Sequence, residues 1–552
     1  MIPGFRTVLN SSLVAFCLGS LGGIAAFLFE IAAYGQRVRP EAGAAYALAG
    51  GLLAGGLRLL LGLRMPAHSA RTGALVAASS FAMLQLLYYA NVRLLPGEPY
   101  LSRKSLAADF VILGFVLAID IGLSRSVRIE ELRTRSYRVW SVLGAAILLL
   151  SVGVLVWEWP TEPHVADRGG DGPNLLLIVL DSGRRDHLSL YGYSRVTSPS
   201  LVAASRGGRV YETAYAGSSW TVPSVSELFW SRLEPPNPAS PGLAGRLRAA
   251  GYVTACFSDN PHLDTDSQLL TEFDSTRRSV GTWRALLRGT IAGAFLERLL
   301  PGTDHDLVDG ALAWSTSRKG PFFLYVHLMD SHAPYRWPAI DGRRRPGRRI
   351  EFPYRGLQMT QDEIEDVVAR YDGGLRSSDA AVGRLLAAAP RWGRPFVAIV
   401  TADHGESLGE QGRWFHGGSL APELLSVPLV VVGEGVKQGR SMVPVGCASV
   451  GKTLLAAAGV ACEECEGVDL RASEGDGVAE GGLPPNLVFR IEKDHKLVLD
   501  RQSKRAHLFD LRDDPLEVQD RASDSPEILR SLMEGLRPDA PPPAAARQQA
   551  SR

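Results

Sequence analysis

The sequence predicts a two-part fold: five transmembrane helices, then an α/β domain with a mainly parallel sheet and a small C-terminal subdomain. Three observations lead there. Apolar residues are concentrated in the first 160 positions, in five long stretches. Beyond Pro173, short apolar runs alternate with helix-like stretches. Several of those runs end in Asp, Asn or His. The chain has 552 residues, and its 59 Lys and Arg nearly cancel its 58 Asp and Glu. It therefore has no net field to gather nucleic acid, and no nucleic-acid partner is expected.

The apolar stretches are Ser11–Tyr34, Ala44–Gly62, Thr72–Ala90, Leu106–Leu123 and Val139–Trp157. Each has about 18 to 24 residues, enough to cross the hydrocarbon core as a helix. Glu30, Arg58, Asp109 and Asp120 are the charges inside them, all toward an end, where a side chain reaches the interface. Five such stretches in succession, with short polar loops between, argue against buried helices of a soluble protein. The first is not a removable signal peptide, being long and followed by more spans. The spans lack the paired central charges of an ion path. Basic loop residues set the orientation. Arg6, Arg64, Arg71, Arg125, Arg128, Arg133, Arg135 and Arg138 fall on one side; Arg37, Arg39, Arg93, Arg103 and Lys104 fall on the other. The richer side faces the cytoplasm, so the C-terminal domain lies outside. The expectation is an integral protein of a bacterial inner membrane, with membrane lipids as neighbours and its globular part on the periplasmic side.

Residues 161–172 read as a polar, Gly-rich linker, 173–537 as the globular domain with a C-terminal subdomain from about 440, and 538–552 as a disordered tail. The expected strands are Leu175–Leu180, Tyr252–Phe257, Phe322–Leu328, Phe396–Thr401 and Val427–Val432. Nearly continuous apolar runs of this length suit a parallel sheet covered on both faces. The expected helices include Ser198–Arg206, Pro241–Ala250, Gln361–Ala389 and Val450–Ala458, and the alternation defines the α/β class. Arg343–Arg349 reads as a solvated basic loop, or as a contact for anionic head groups or substrate. Cys462 and Cys465 read as a disulfide or as free thiols; with Cys447 they would be one ligand short of a structural zinc site. Cys17, in the first stretch, reads as packing.

Strand ends carry the chemistry, because ligands of open α/β sheets sit beyond the carboxyl edge. The first strand ends in Asp181, the second runs into Ser258-Asp259-Asn260, the third into His327, Asp330 and His332, and the fourth into Asp403-His404-Gly405. Asp181, Asp403 and His404 offer two carboxylates and an imidazole. That set suits Zn²⁺ or Mn²⁺, with Ca²⁺ or Mg²⁺ possible if the imidazole is not a ligand. The stretch from Ser218 to Ser224 places hydroxyls near the start of an expected helix, Ser224–Trp230. A helix N-terminus favours anions, and a hydroxyl there beside a divalent metal can become a nucleophile. Ser224 itself reads as a helix cap.

Five blocks occur in one order: Pro173–Asp181 followed by Arg184, Asp186-His187-Leu188 and Tyr191-Gly192-Tyr193; Trp220-Thr221-Val222-Pro223-Ser224; His327 to Tyr335; Ala402 to Glu406; and His507 to Pro515. Together they resemble a sulfatase domain of the alkaline-phosphatase superfamily, over roughly 173–520. The resemblance implies a divalent metal held by Asp181, Asp403 and His404, with Thr221 as both nucleophile and ligand. It implies His332 and His416 lining the anion pocket and Arg184 steering the anion. His327, His416 and Asp330 also read as plain strand-end or loop residues.

Two positions depart from sulfatases. Those enzymes carry Cys or Ser at the nucleophile, oxidised to an aldehyde; oxidation of Thr221 would give a ketone. Ser182 stands where many sulfatases place another metal-binding Asp. A Thr nucleophile joined to five spans resembles phosphoethanolamine transferases and lipoteichoic-acid synthases. The expected function is a membrane-anchored, metal-dependent hydrolase or transferase acting on phosphate or sulfate esters of an anionic envelope lipid or glycan. The alternative is an inactive domain that binds an anionic glycan or acts as a membrane sensor.

Overall fold

The chain from Asn174 onward builds a sheet whose centre is its most apolar strand. The computed structural model describes residues 166–232, 240–264, 269–277, 303–342, 359–483 and 486–536. The five expected spans, the first part of the linker, the 343–349 loop and the 538–552 tail lie outside the described residues. Among those described, no helix is long and apolar enough to cross a membrane.

The strands are β1 (Asn174–Leu180), β2 (Gly208–Tyr215), β3 (Val253–Ser258), β4 (Ser275–Arg277), β5 (Phe322–Leu328), β6 (Phe396–Ala402), β7 (Ser407–Leu408), β8 (Trp414–Phe415), β9 (Ser426–Gly433), β10 (Gly439–Ser441), β11 (Val445–Gly446), β12 (Val478–Leu483), β13 (Leu487–Glu492), β14 (His495–Asp500) and β15 (Ala506–Asp510). Thirteen of them form one sheet, in the order β15-β14-β13-β12-β11-β2-β9-β6-β1-β5-β3-β4, with β10 paired to β2. Strands β7 and β8 form a separate hairpin. All five expected strands are present within a residue or two of their expected ends.

The centre, β6-β1-β5-β3-β4, is parallel throughout. Every residue of β1 is buried, as its run Asn-Leu-Leu-Leu-Ile-Val-Leu requires of a strand covered on both faces. Two features differ from expectation. Strand β9 is antiparallel to both neighbours, β6 and β2. Strand β2 was not anticipated, because Gly-Arg-Val-Tyr-Glu-Thr-Ala-Tyr mixes charge with apolar residues and ends half-buried. Beyond β11, the antiparallel strands β12 to β15 continue the same sheet through β2.

The helices are α1 (Pro199–Ser205), α2 (Thr221–Trp230), α3 (Leu243–Ala249), α4 (Pro261–Asp264), α5 (Asp304–Thr316), α6 (Gln361–Ala388), α7 (Pro422–Leu425), α8 (Ala448–Ala457) and α9 (Pro526–Gly535). Capping boxes start α5 at Thr303/Asp306 and α6 at Thr360/Glu363. Helix α2 starts three residues earlier than the sequence suggests. Pro223 falls in its first turn, where a missing N–H costs nothing. Ser224 is therefore not a cap; its hydroxyl donates to the Ser218 carbonyl at 2.9 Å. Cys462 and Cys465 form a disulfide, while Cys447 is a buried free thiol, which removes the zinc-site alternative.

Candidate active site

Strand register assembles the site. Leu180 of β1 pairs with Leu328 of β5 and Ala402 of β6, so the chain leaves all three strands at one level. Asp181 and Asp403 thereby emerge side by side. Ser258 of β3 pairs with His327 of β5, which brings the segment before Asn260 to the same edge. At the end of β1, Ser182 adopts a left-handed backbone (φ 59°), uncommon for a residue with a side chain. This turn lets the Ser182 N–H donate to Asp403 Oδ1 at 3.2 Å.

Asp181 is the hub and is wholly buried. Its Oδ2 lies 2.6 Å from Asn260 Nδ2 and 2.9 Å from His327 Nε2. The Ser182 hydroxyl donates to Oδ1 at 3.1 Å, and His332 Nε2 is 4.0 Å from it. His327 is backed by the Tyr325 hydroxyl, 2.6 Å from Nδ1. His404 donates from Nδ1 to the Gly405 carbonyl at 2.8 Å. A carbonyl can only accept, so Nε2 keeps its lone pair. That Nε2 lies 3.3 Å from Thr221 Oγ1 and 3.3 Å from Asp403 Oδ2. Thr221 is the first residue of α2, at the end of the helix where the macrodipole favours negative charge. Asn260 Nδ2 is 3.5 Å from the same hydroxyl.

The electrostatics ask for a cation. Burial would raise Asp181, but the imidazoles of His332 and His327 hold it well below the usual carboxylate range. Asp403, buried beside that charge, is pushed up to about 7. Burial and the neighbouring His416 push His404 well below the ordinary histidine value, so it is neutral. Asp403 Oδ2 is buried without a hydrogen-bond partner while facing the lone pair of His404. Two electron-rich atoms that close, in a dry site, are tolerable with a positive ion between them. The residues therefore fit a divalent metal. Asp181, His327 and Asp403 form the group of ligand atoms close enough together to hold one. His404 and Thr221 adjoin the same carboxylate pair.

His416 lies alongside. Its ring is 4.3 Å from His404 and 5.2 Å from His332, centre to centre. Burial would lower it, but the Glu406 carboxylate, 2.9 Å from Nδ1, raises it to about 9, so it is cationic at neutral pH. Arg184 is placed differently from the sequence reading. Its guanidinium is bound by Asp186 at 2.7 Å, Glu410 at 2.5 Å and the Glu406 carbonyl at 2.9 Å. Steering an anion would mean releasing two carboxylates. The side chain instead braces the loop that carries Glu406. Asp330 also stands apart, exchanging hydrogen bonds with Asp304 and accepting from Ser377. Sequence reasoning missed Asn260 and Glu406. Asn260 had a positional signal at the end of a strand, but no chemistry distinguished it from a turn residue.

An α/β sheet that gathers carboxylates, imidazoles and a helix-borne hydroxyl at its carboxyl edge has the groups that metal-assisted cleavage of an ester needs. Residues 173–460 match the Sulfatase family model, and the chain belongs to the sulfatase family of the alkaline-phosphatase superfamily. It is 24% identical over 275 residues to phosphoethanolamine transferase EptA of Helicobacter pylori, covering 49% of this chain and 49% of that protein. It therefore spans about half the length of that relative. It is 28% identical over 422 residues to choline-sulfatase of Rhizobium meliloti, covering 63% of this chain and 81% of that protein. The fold is that of phosphonate monoester hydrolase of Agrobacterium radiobacter, with a TM-score of 0.53 at 18% identity over 68% of this chain and 96% of the other. These relatives are named as a phosphoethanolamine transferase, a choline-sulfatase and a phosphonate monoester hydrolase.

Proposed function

We propose that this protein is a membrane-anchored phosphoester enzyme that uses Thr221 as its nucleophile. The observation that carries the reading is Thr221 Oγ1, held 3.3 Å from the unprotonated His404 Nε2 at the first turn of α2. Asp181, Thr221, Asp403 and His404 would hold the metal, with His327 as a further imidazole on Asp181. The imidazoles favour Zn²⁺ or Mn²⁺ over Ca²⁺ or Mg²⁺. Bound there, the ion would favour the Thr221 alkoxide and offset charge on the transferred group. Thr221 Oγ, its proton released to solvent, forms a bond to phosphorus as the bond to the leaving oxygen breaks. The leaving oxygen takes a proton, for which cationic His416 is the nearby donor. Water or an acceptor hydroxyl then attacks phosphorus and returns Thr221.

A Thr cannot become the aldehyde that sulfate-ester cleavage uses in sulfatases, which supports phosphate over sulfate. The five apolar stretches and their loop charges support a membrane anchor. The Cys462–Cys465 disulfide supports an oxidising compartment, hence the outer side. A site tethered there would take an anionic lipid or envelope glycan.

The test is turnover of aryl phosphate monoester, phosphodiester and sulfate ester by the full chain in detergent, with each metal in parallel. Phosphoester turnover should vanish in Thr221→Ala, and mass spectrometry should find phosphothreonine at 221. Sulfate-ester turnover that survives Thr221→Ala would reject the nucleophile.

A further inference from the structure

Lys496, on β14, is one of the least expected side chains in the core. It is 1% exposed. Its ammonium donates to both oxygens of Glu517 at 2.7 Å and to the Leu420 carbonyl at 2.6 Å. Replacing a buried ion pair by apolar groups is often neutral or stabilising, so stability alone does not account for it. What an apolar residue could not do is hold the Leu420 carbonyl.

That carbonyl belongs to the segment between His416 and α7. At its start, His416 is bound by Glu406, and the Gly417 N–H donates to the Ser219 carbonyl at 2.8 Å, two residues before Thr221. At its end, the Leu420 side chain packs in a cluster with Ala479, Phe489 and Ile491 from β12 and β13. The segment is thus strung between the nucleophile's own loop and the C-terminal strands. Those strands grip the nucleophile loop as well. The Gly482 N–H donates to the Gly217 carbonyl at 2.7 Å, and a Cβ at Gly481 would fall 2.0 Å from that carbonyl oxygen. Only glycine allows so close an approach.

We propose that Lys496, together with Glu517, is a positioning residue for the reaction. Through the Leu420 carbonyl it fixes the segment that places His416 against Thr221 and His404. The C-terminal strands are then part of the catalytic frame, although they supply no group that touches the ester. The catalytic half of this inference rests on the proposed roles of Thr221 and His416.

The cleanest perturbation is the double variant Lys496→Met/Glu517→Gln, which strands no buried charge. Backbone amide exchange in the full chain is the first readout, because it needs no turnover. Losing a charge-assisted hydrogen bond should speed exchange across 416–421 by about tenfold or more, while β1 stays protected. In aryl phosphodiester turnover, kcat should fall on the order of 10²-fold with KM little changed. Leu532→Ala, in the separate cluster under α9, serves as a control that lowers stability and leaves kcat intact. Unchanged exchange at 416–421 in a folded double variant would overturn the proposal. So would a kcat loss matched by Leu532→Ala. If the unaltered chain turns over no ester, the nucleophile reading fails, and the exchange result still decides whether Lys496 holds the segment.

Discussion

Glu227 offers a quantitative test of how α2, the helix that begins at Thr221, is held. It lies in α2, wholly buried, and its carboxyl group accepts hydrogen bonds from the backbone of Gly217 and Ala448. It therefore ties the loop before Thr221 to the start of α8. Burial, with the charge of Glu466 added, raises it from 4.5 to about 8. An acid whose folded value is raised keeps its proton in the fold while the unfolded chain loses it. Stability then falls as pH rises from about 4.5 to about 8, and levels off above. At ~1.4 kcal/mol per pH unit, the span amounts to ~5 kcal/mol, an upper figure because water entry would reduce it. Glu227→Gln keeps the shape and removes the titration. Denaturant unfolding at pH 5, 6, 7 and 8 should show the unaltered protein losing stability steadily relative to Glu227→Gln. The difference should grow by at least ~2 kcal/mol across the range if even half of the burial effect persists. Parallel curves for the two proteins would refute the reasoning, and would mean that Glu227 is ionised and solvated.

Asn260→Ala removes the amide that holds Asp181 Oδ2 and reaches toward Thr221. Aryl phosphodiester turnover should fall at least about tenfold, with stability lowered by about 1–3 kcal/mol. Arg184→Met should cost only about 1–2 kcal/mol, because Asp186 and Glu410 are 55% and 37% exposed and stay solvated without it, measured as thermal unfolding, and a rise confined to KM would instead restore its anion-steering role. Asp403→Asn should reduce bound Zn²⁺ or Mn²⁺ in mass spectrometry of the purified chain, and unchanged metal content would place the ion elsewhere.

The parallel centre of the fold was legible because its strands are continuously apolar, and nothing but burial on both faces explains such runs. Direction was not legible for β9: Val-Pro-Leu-Val-Val-Val is equally apolar in either sense, and its partners decide. Strand β2 was hidden because Glu212 and Arg209 are paired with charges brought from distant segments, Arg440 and Glu474. Asp181, Thr221, Asp403, His404, His332 and His416 were singled out from position and family blocks, and the fold brings the six to one edge of the sheet. The partners of Arg184 were not legible, because an arginine near an expected anion looks free until Asp186 and Glu410 are placed. Lys496 was unreadable, since a lone Lys in a C-terminal strand looks like a solvated edge residue.

The placement of β1 also sets a schedule. Its neighbours are distant in the chain: Asn174 meets Phe322 across 148 positions, and Ser182 meets Asp403 across 221. A ribosome adding about 5–20 residues per second needs on the order of ten seconds to make the first partner and longer for the second. Through that interval a seven-residue strand of almost pure Leu, Ile and Val has nothing to pair with, the kind of segment that seeds aggregation. Until β6 has been synthesised the two carboxylates cannot meet, so the newly made chain passes through a stage in which Asp181 and Asp403 are apart and its stickiest strand is bare. A strand with this composition and such late partners needs shelter while the rest of the chain is made.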